Sequence, residues 1–126
     1  MNIKPRISTI QGLLFTYCIE NSRNTDREEL IALTDVNNPK DIYELFDKLT
    51  KPEFIKYKHE EMQRHIHTIE YFLNSDEDFE SVFYLFDTYF EDEILDKRAF
   101  MAVLLDRLKS YMSEAFPAKP IQDGPY

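Results

Sequence analysis

Carboxylates and aromatic rings crowd residues 70–96, and little else in the chain has spacing that suggests chemistry. Asp76, Asp78, Glu80 and Asp87 stand at the first, third, fifth and twelfth positions of a calcium-loop spacing. The sixth position, where such a loop needs glycine for its sharp turn, is Ser81, and bulky Phe79, Val82, Phe83 and Phe86 fill the loop, which argues against calcium. His59-Glu60-Glu61-Met62-Gln63 opens like a zinc-protease helix, yet Gln63 occupies the place of the second histidine. His65 and His67 are two residues apart and share no helix face, so a core-edge role suits the histidines better than metal binding. Cys18 sits alone in an apolar run and reads as an inert buried thiol. No nucleophile elbow or phosphate-cradling glycine loop is present in a chain with only two glycines. No catalytic residue, metal site or cofactor is expected, and an enzyme is the least supported class.

What remains is electrostatic. Residues 70–96 hold ten acids (Glu70, Asp76, Glu77, Asp78, Glu80, Asp87, Glu91, Asp92, Glu93, Asp96) and no lysine or arginine. The chain is formally −9, so the residues outside that segment sum to +1 and the negative charge is one localised field. Such a field attracts basic partners and repels nucleic acid and anionic membranes. Direct nucleic-acid binding is therefore disfavoured, and the modest basic zone Lys48, Lys51, Lys56, Lys58 and Arg64 reads as balance for neighbouring acids.

The elements that carry these residues follow the helical period. The hydrophobic fraction of 43% is enough for a core, and no strand alternation is convincing. Residues 9–21 are apolar nearly all round, which suits a buried first helix better than an export signal. Thr25 with Glu28 forms a capping box for a second helix. Asn38-Pro39 starts a third, with Ile42, Leu45, Phe46 and Leu49 inward. Thr50 with Glu53 forms a further capping box, opening a fourth helix to about Leu73 with Ile55, Met62, Ile66, Ile69 and Leu73 inside. His59 and His65 flank that stripe, and Glu61 is placed to pair with His65. Ser75 is expected to cap a fifth helix through Glu91. Asp96 caps a sixth, with Leu95 and Phe100 as a hydrophobic staple and Met101, Leu104, Leu105, Leu108 and Met112 as its stripe.

The expected fold is all-α: five or six helices packed as antiparallel hairpins in a single helical domain over residues 1–116, with an extended tail over 117–126. Leu45-Phe46-Asp47 recurs as Leu85-Phe86-Asp87, a period near forty that admits a HEAT-like repeat as well as coincidence. No stretch is long enough to span a bilayer, and the lone cysteine fits a cytoplasmic protein.

On a helix over residues 76–91, Phe79, Val82, Phe83, Phe86, Tyr89 and Phe90 fall on one side, and Glu77, Glu80, Ser81, Tyr84, Asp87, Thr88 and Glu91 on the other. Like charges at these spacings repel by a few tenths of a kcal/mol per pair, a cost that folding does not require. The reading that follows is a docking ridge for a basic protein, built from Glu77, Glu80, Tyr84, Asp87, Glu91 and Asp92. A solvated helix face of an acidic protein is the plainer reading.

At Glu77, Glu80, Tyr84, Asp87 and Glu91 the chain resembles bacterial immunity proteins, both those of nuclease colicins and those of contact-dependent growth inhibition systems. The resemblance is one of character over residues 70–96, without a shared motif. It implies a cognate inhibitor that covers or distorts the active region of a basic toxin such as a nuclease. The alternatives are a helical adaptor that takes a partner helix in an apolar groove, and a nucleic-acid mimic.

Overall fold

The computed structural model describes residues 5–18, 25–84 and 87–116, and among them the chain is helical with no strand. The expected tail, residues 117–126, lies outside the described residues. Helix α1 (Ile7–Leu13) runs into a 3-10 turn (Leu14–Tyr17), and α2 spans Thr25–Leu33. Helix α3 (Pro39–Leu45) passes through a widened π turn (Phe46–Thr50) into α4 (Lys51–Phe54). Helix α5 (His59–Leu73), the single-turn α6 (Glu80–Phe83) and the long α7 (Lys97–Ala115) follow.

Two starts form where the sequence puts them. The Asn38 side chain accepts from the backbone N–H of Lys40 at 3.0 Å and of Asp41 at 3.4 Å, with Pro39 at the first helical position. Asp96 accepts from the N–H of Ala99 at 2.9 Å. Such a cap is worth about 1 kcal/mol, because it satisfies donors that have no partner within the helix.

Three expected boundaries are corrected. Thr50 is not an N-cap: its backbone is helical, and its buried hydroxyl lies 2.6 Å from that of Tyr17. The chain therefore stays helical across Thr50, and the widened turn before Pro52 accommodates a residue that cannot donate to the preceding turn. The helix breaks after Phe54 instead, which leaves Ile55 exposed and restarts α5 with Glu61 accepting from the N–H of Lys58 at 3.1 Å. Leu95 forms no staple. It is 78% exposed, while Phe100 turns into the core against Phe46 and Phe90.

The third correction is the largest. Residues 76–91 form no continuous helix. The Ser75 hydroxyl donates to the carbonyl of Phe72, closing off α5, and accepts from the N–H of Glu77. Phe79 is fully buried with φ 63°, a left-handed conformation that a bulky residue adopts only when its packing compels it. After the single turn of α6, the Tyr84 backbone is extended. Cys18 and Thr88 form an antiparallel bridge, and the N–H of Tyr89 donates to the carbonyl of Tyr17 at 3.0 Å. The extended path brings Phe90 onto Tyr17, with ring centroids 5.7 Å apart. Long-range pairing and ring burial thus outweigh the local helical period. Leu85 and Phe86 lie outside the described residues. Asp47 is in the π turn and Asp87 is outside any helix, so the two ends of the internal echo differ in environment.

Helix α7 is the hub. It packs along α5 and also meets α3, α4 and the π turn, while α1 lies on α5 and α6. Nothing in this pairing supports a stacked HEAT-like repeat. Met62, Ile66 and Ile69 face Met101, Leu104 and Leu108 within one core, with Leu105 and Met112 at its edge. A polar seam joins the π turn to α7. The Tyr111 hydroxyl donates to Asp47 at 2.5 Å, and the Arg107 Nε donates to the same oxygen at 3.1 Å while its guanidinium lies over the Tyr43 ring. Burial, together with the bond to Asp47, raises the Tyr111 hydroxyl above its ordinary pKa. No helix among the described residues is long and apolar enough to cross a membrane.

Candidate protein-binding site

Three side chains from distant parts of the chain set the path of the acidic segment. Arg98 donates to the carbonyls of Leu73 at 2.6 Å, Glu77 at 2.7 Å and Ser75 at 3.2 Å, pinning the exit of α5 to the first turn of α7. Gln11 donates to the carbonyl of Val82 at 2.9 Å, tying α6 to α1. The Asn37 amide donates to the carbonyl of Glu93 at 2.9 Å and accepts from the N–H of Leu95 at 2.8 Å. Below, Phe83 and Phe90 meet Phe100 edge-on at 6.0 and 6.1 Å. The segment is irregular in shape but held at its start, middle and end.

The result is a cleft of about 700 Å³ between α6 and the residue 87–94 stretch, closed by Lys97 at the start of α7. Glu80, Tyr84, Asp87, Glu91 and Asp92, five of the six residues expected to form the docking ridge, line it. All five are exposed, Tyr84 at 72%. They converge around a concavity rather than along a helix face.

Glu77, the sixth, is a correction. It is half-buried and its carboxylate accepts from the N–H of Phe79 at 3.0 Å, which steadies the left-handed turn. Its role is to shape the backbone. Glu93 takes its place: it is exposed and lines the cleft. It belongs to the same acidic run, directly after Asp92.

Glu80, Asp87, Glu91, Asp92 and Glu93 face one cation, Lys97, a formal net of −4 among the described lining residues. Lys97 bridges to Glu80 at 3.2 Å and donates to the carbonyl of Ile94 at 3.2 Å, and only 12% of its side chain is exposed. The bridge steadies the cleft wall and neutralises one acid. Asp87, Glu91, Asp92 and Glu93 have no ion pair among the described residues. Elsewhere in the segment Glu70 pairs with Lys109 at 2.8 Å.

Such a site offers negative potential, hydrogen-bond acceptors and an amphipathic ring. Concave walls of low dielectric focus the field of the carboxylates and raise the local concentration of cationic groups.

Of the three histidines, His65 packs against the core edge. His65 is half-buried between Phe54 and Tyr57, and burial lowers its pKa. The expected pairing with Glu61 runs through the Glu61 carbonyl at 2.7 Å, because the carboxylate is used at the start of α5. The His59 ring meets Phe116, and His67 is exposed. Cys18 is buried with a free thiol. Among the described residues, no three His, Cys, Asp or Glu side chains are grouped to hold a metal.

No protein-family model matches the chain, and the comparisons with curated proteins and with solved structures found no match.

Proposed function

We propose that this chain is an acidic protein-binding inhibitor, an immunity protein that neutralises a basic toxin such as a nuclease by covering its active region. It acts in the cytoplasm by binding alone, with neither catalysis nor cofactor. One observation supports this most: five carboxylates surround an exposed tyrosine in one anchored cleft. Folding gains nothing from that crowding, since like charges held close repel. A basic partner relieves it. The Tyr84 ring adds contact area at small entropy cost and its hydroxyl is free to bond, as at many binding hot spots. Pre-set carboxylates avoid the ordering cost that a flexible loop would incur on binding.

A second reading has one observation in its favour. Pro39, Tyr43, Ala102 and Val103 line an apolar groove of about 510 Å³ between α3 and α7, with Lys40 and Asp106 at its rim. An adaptor would seat a partner helix there. Salt separates the two readings, with the partner recovered by cross-linking in cells that make the chain. Steered docking on the acidic cleft should slow at least about tenfold in association rate between about 50 mM and 500 mM salt, since screening shortens the reach of the field. Apolar docking in the groove would change association less than about twofold.

A further inference from the structure

Helices α3 and α7 run side by side in the same direction. Val36, Pro39, Ala99 and Val103 line one small cavity near their starts, and Asp47, just past α3, bonds Arg107 and Tyr111 further along. The apolar groove of about 510 Å³ lies between them and shares no lining residue with the acidic cleft. The small cavity, about 60 Å³, shares Pro39 and Val103 with the groove and extends it toward Asp96. Helix α7 turns Ala99 and Ala102 outward here, and such short side chains let another helix approach closely.

Tyr43 stands 42% exposed in the groove, yet its ring is held. The Arg107 guanidinium lies 4.0 Å from the ring centroid, and Asp47 fixes that guanidinium in turn. An exposed tyrosine ordered before binding is the kind of anchor that interfaces use.

The rim selects the occupant. Lys40 on α3 is exposed and forms no ion pair among the described residues. Asp106 on α7 meets Arg107 at 3.5 Å through Oδ2, with 70% of its side chain exposed, which leaves Oδ1 open to a second cation. The groove lining is therefore formally neutral, with one charge of each sign on opposite sides. Such a face complements itself: a two-fold axis between the charges sets Lys40 of each copy against Asp106 of the other. Two copies meeting at the acidic cleft would repel instead.

We infer that this groove is the interface of a homodimer. Two copies of the chain pack face to face about a two-fold axis, burying Tyr43 and pairing Lys40 with Asp106 twice.

Sedimentation equilibrium of the full chain tests it. A small apolar interface gives a weak dimer, with a Kd below about 200 µM. Lys40→Asp and Asp106→Lys each turn both pairs into like-charge contacts and should weaken dimerisation at least about tenfold, with an unchanged melting temperature. Asp106→Lys is the sharper arm. It makes a chain of formal charge −9 less negative, so overall repulsion alone would tighten the dimer. An equimolar mixture of the two variants restores both pairs and should dimerise within about threefold of wild type, a result that a misfolded variant cannot give. Should either variant fail to fold, the double swap, Lys40→Asp with Asp106→Lys, replaces the mixture. A chain still monomeric at about 500 µM overturns the inference and leaves the groove to a helix of another protein. Dimerisation by Asp106→Lys as tight as wild type, or no dimer from the mixture or the double swap, overturns it as well. The partner of the acidic cleft takes no part in these measurements, so the inhibitor reading stands or falls separately.

Discussion

Reversing Asp87, Glu91 and Asp92 to lysine is expected to weaken partner binding at least about 100-fold while the fold persists. The three side chains are exposed, line the cleft and have no ion pair among the described residues. Surface changes of this kind usually alter stability by less than about 0.5 kcal/mol, so the melting temperature should move by only about 2–3 °C. Binding responds differently, because three attractive charges become three repulsive ones against a basic surface, and like-charge juxtaposition costs several kcal/mol. Most of the early loss should appear in the association rate. Glu29, Glu44 and Glu60, also exposed, give the control: reversing them changes net charge equally on other parts of the chain. Calorimetry and surface plasmon resonance should show that control triple within about threefold of wild type. Equal losses from both triples would mean that overall charge, not the cleft, governs association.

Phe100→Ala is expected to have the largest effect on stability, about 3–5 kcal/mol, read from the urea unfolding midpoint. Phe100 is 4% exposed, and its ring meets those of Phe46 at 5.4 Å, Phe83 at 6.0 Å and Phe90 at 6.1 Å. Truncation removes the buried ring and leaves a cavity that three large neighbours cannot close without moving. Two of those neighbours, Phe83 and Phe90, also line the cleft. Partner affinity should therefore fall at least about tenfold even where the variant remains folded, although no carboxylate has changed. Leu95→Ala is the contrast. Leu95 is 78% exposed, so its loss should cost less than about 0.5 kcal/mol. A large loss there would restore the staple between Leu95 and Phe100.

Local chemistry was readable wherever it had no competitor. Asn38 and Asp96 cap their helices because their side chains have no stronger partner nearby. Met101, Leu104 and Leu108 lie in the core as their spacing requires. The pattern misleads where a residue far along the chain intervenes. Tyr17 takes the Thr50 hydroxyl that a capping box would need. The backbone of Tyr17 takes the Tyr89 N–H that a helix would keep for itself. Phe79 sits in a left-handed conformation that no propensity signals, so the helix expected to follow Ser75 starts only at Glu80 and lasts one turn. The site was legible as composition, since charge and aromatic content do not depend on backbone path. Its shape was not. Glu77 caps the neighbouring Phe79 N–H, and Glu93 lines the cleft on a loop whose backbone is held by Asn37, fifty-six residues away in sequence.

Amide hydrogen exchange of the chain alone and bound to its partner tests the central claim most directly. Protection should rise over residues 80–94, the two walls of the cleft, with residues 39–43 and 102–106 unchanged. Protection confined to those last two stretches, with the cleft exchanging as in the free chain, would place the partner in the apolar groove and contradict the inhibitor reading.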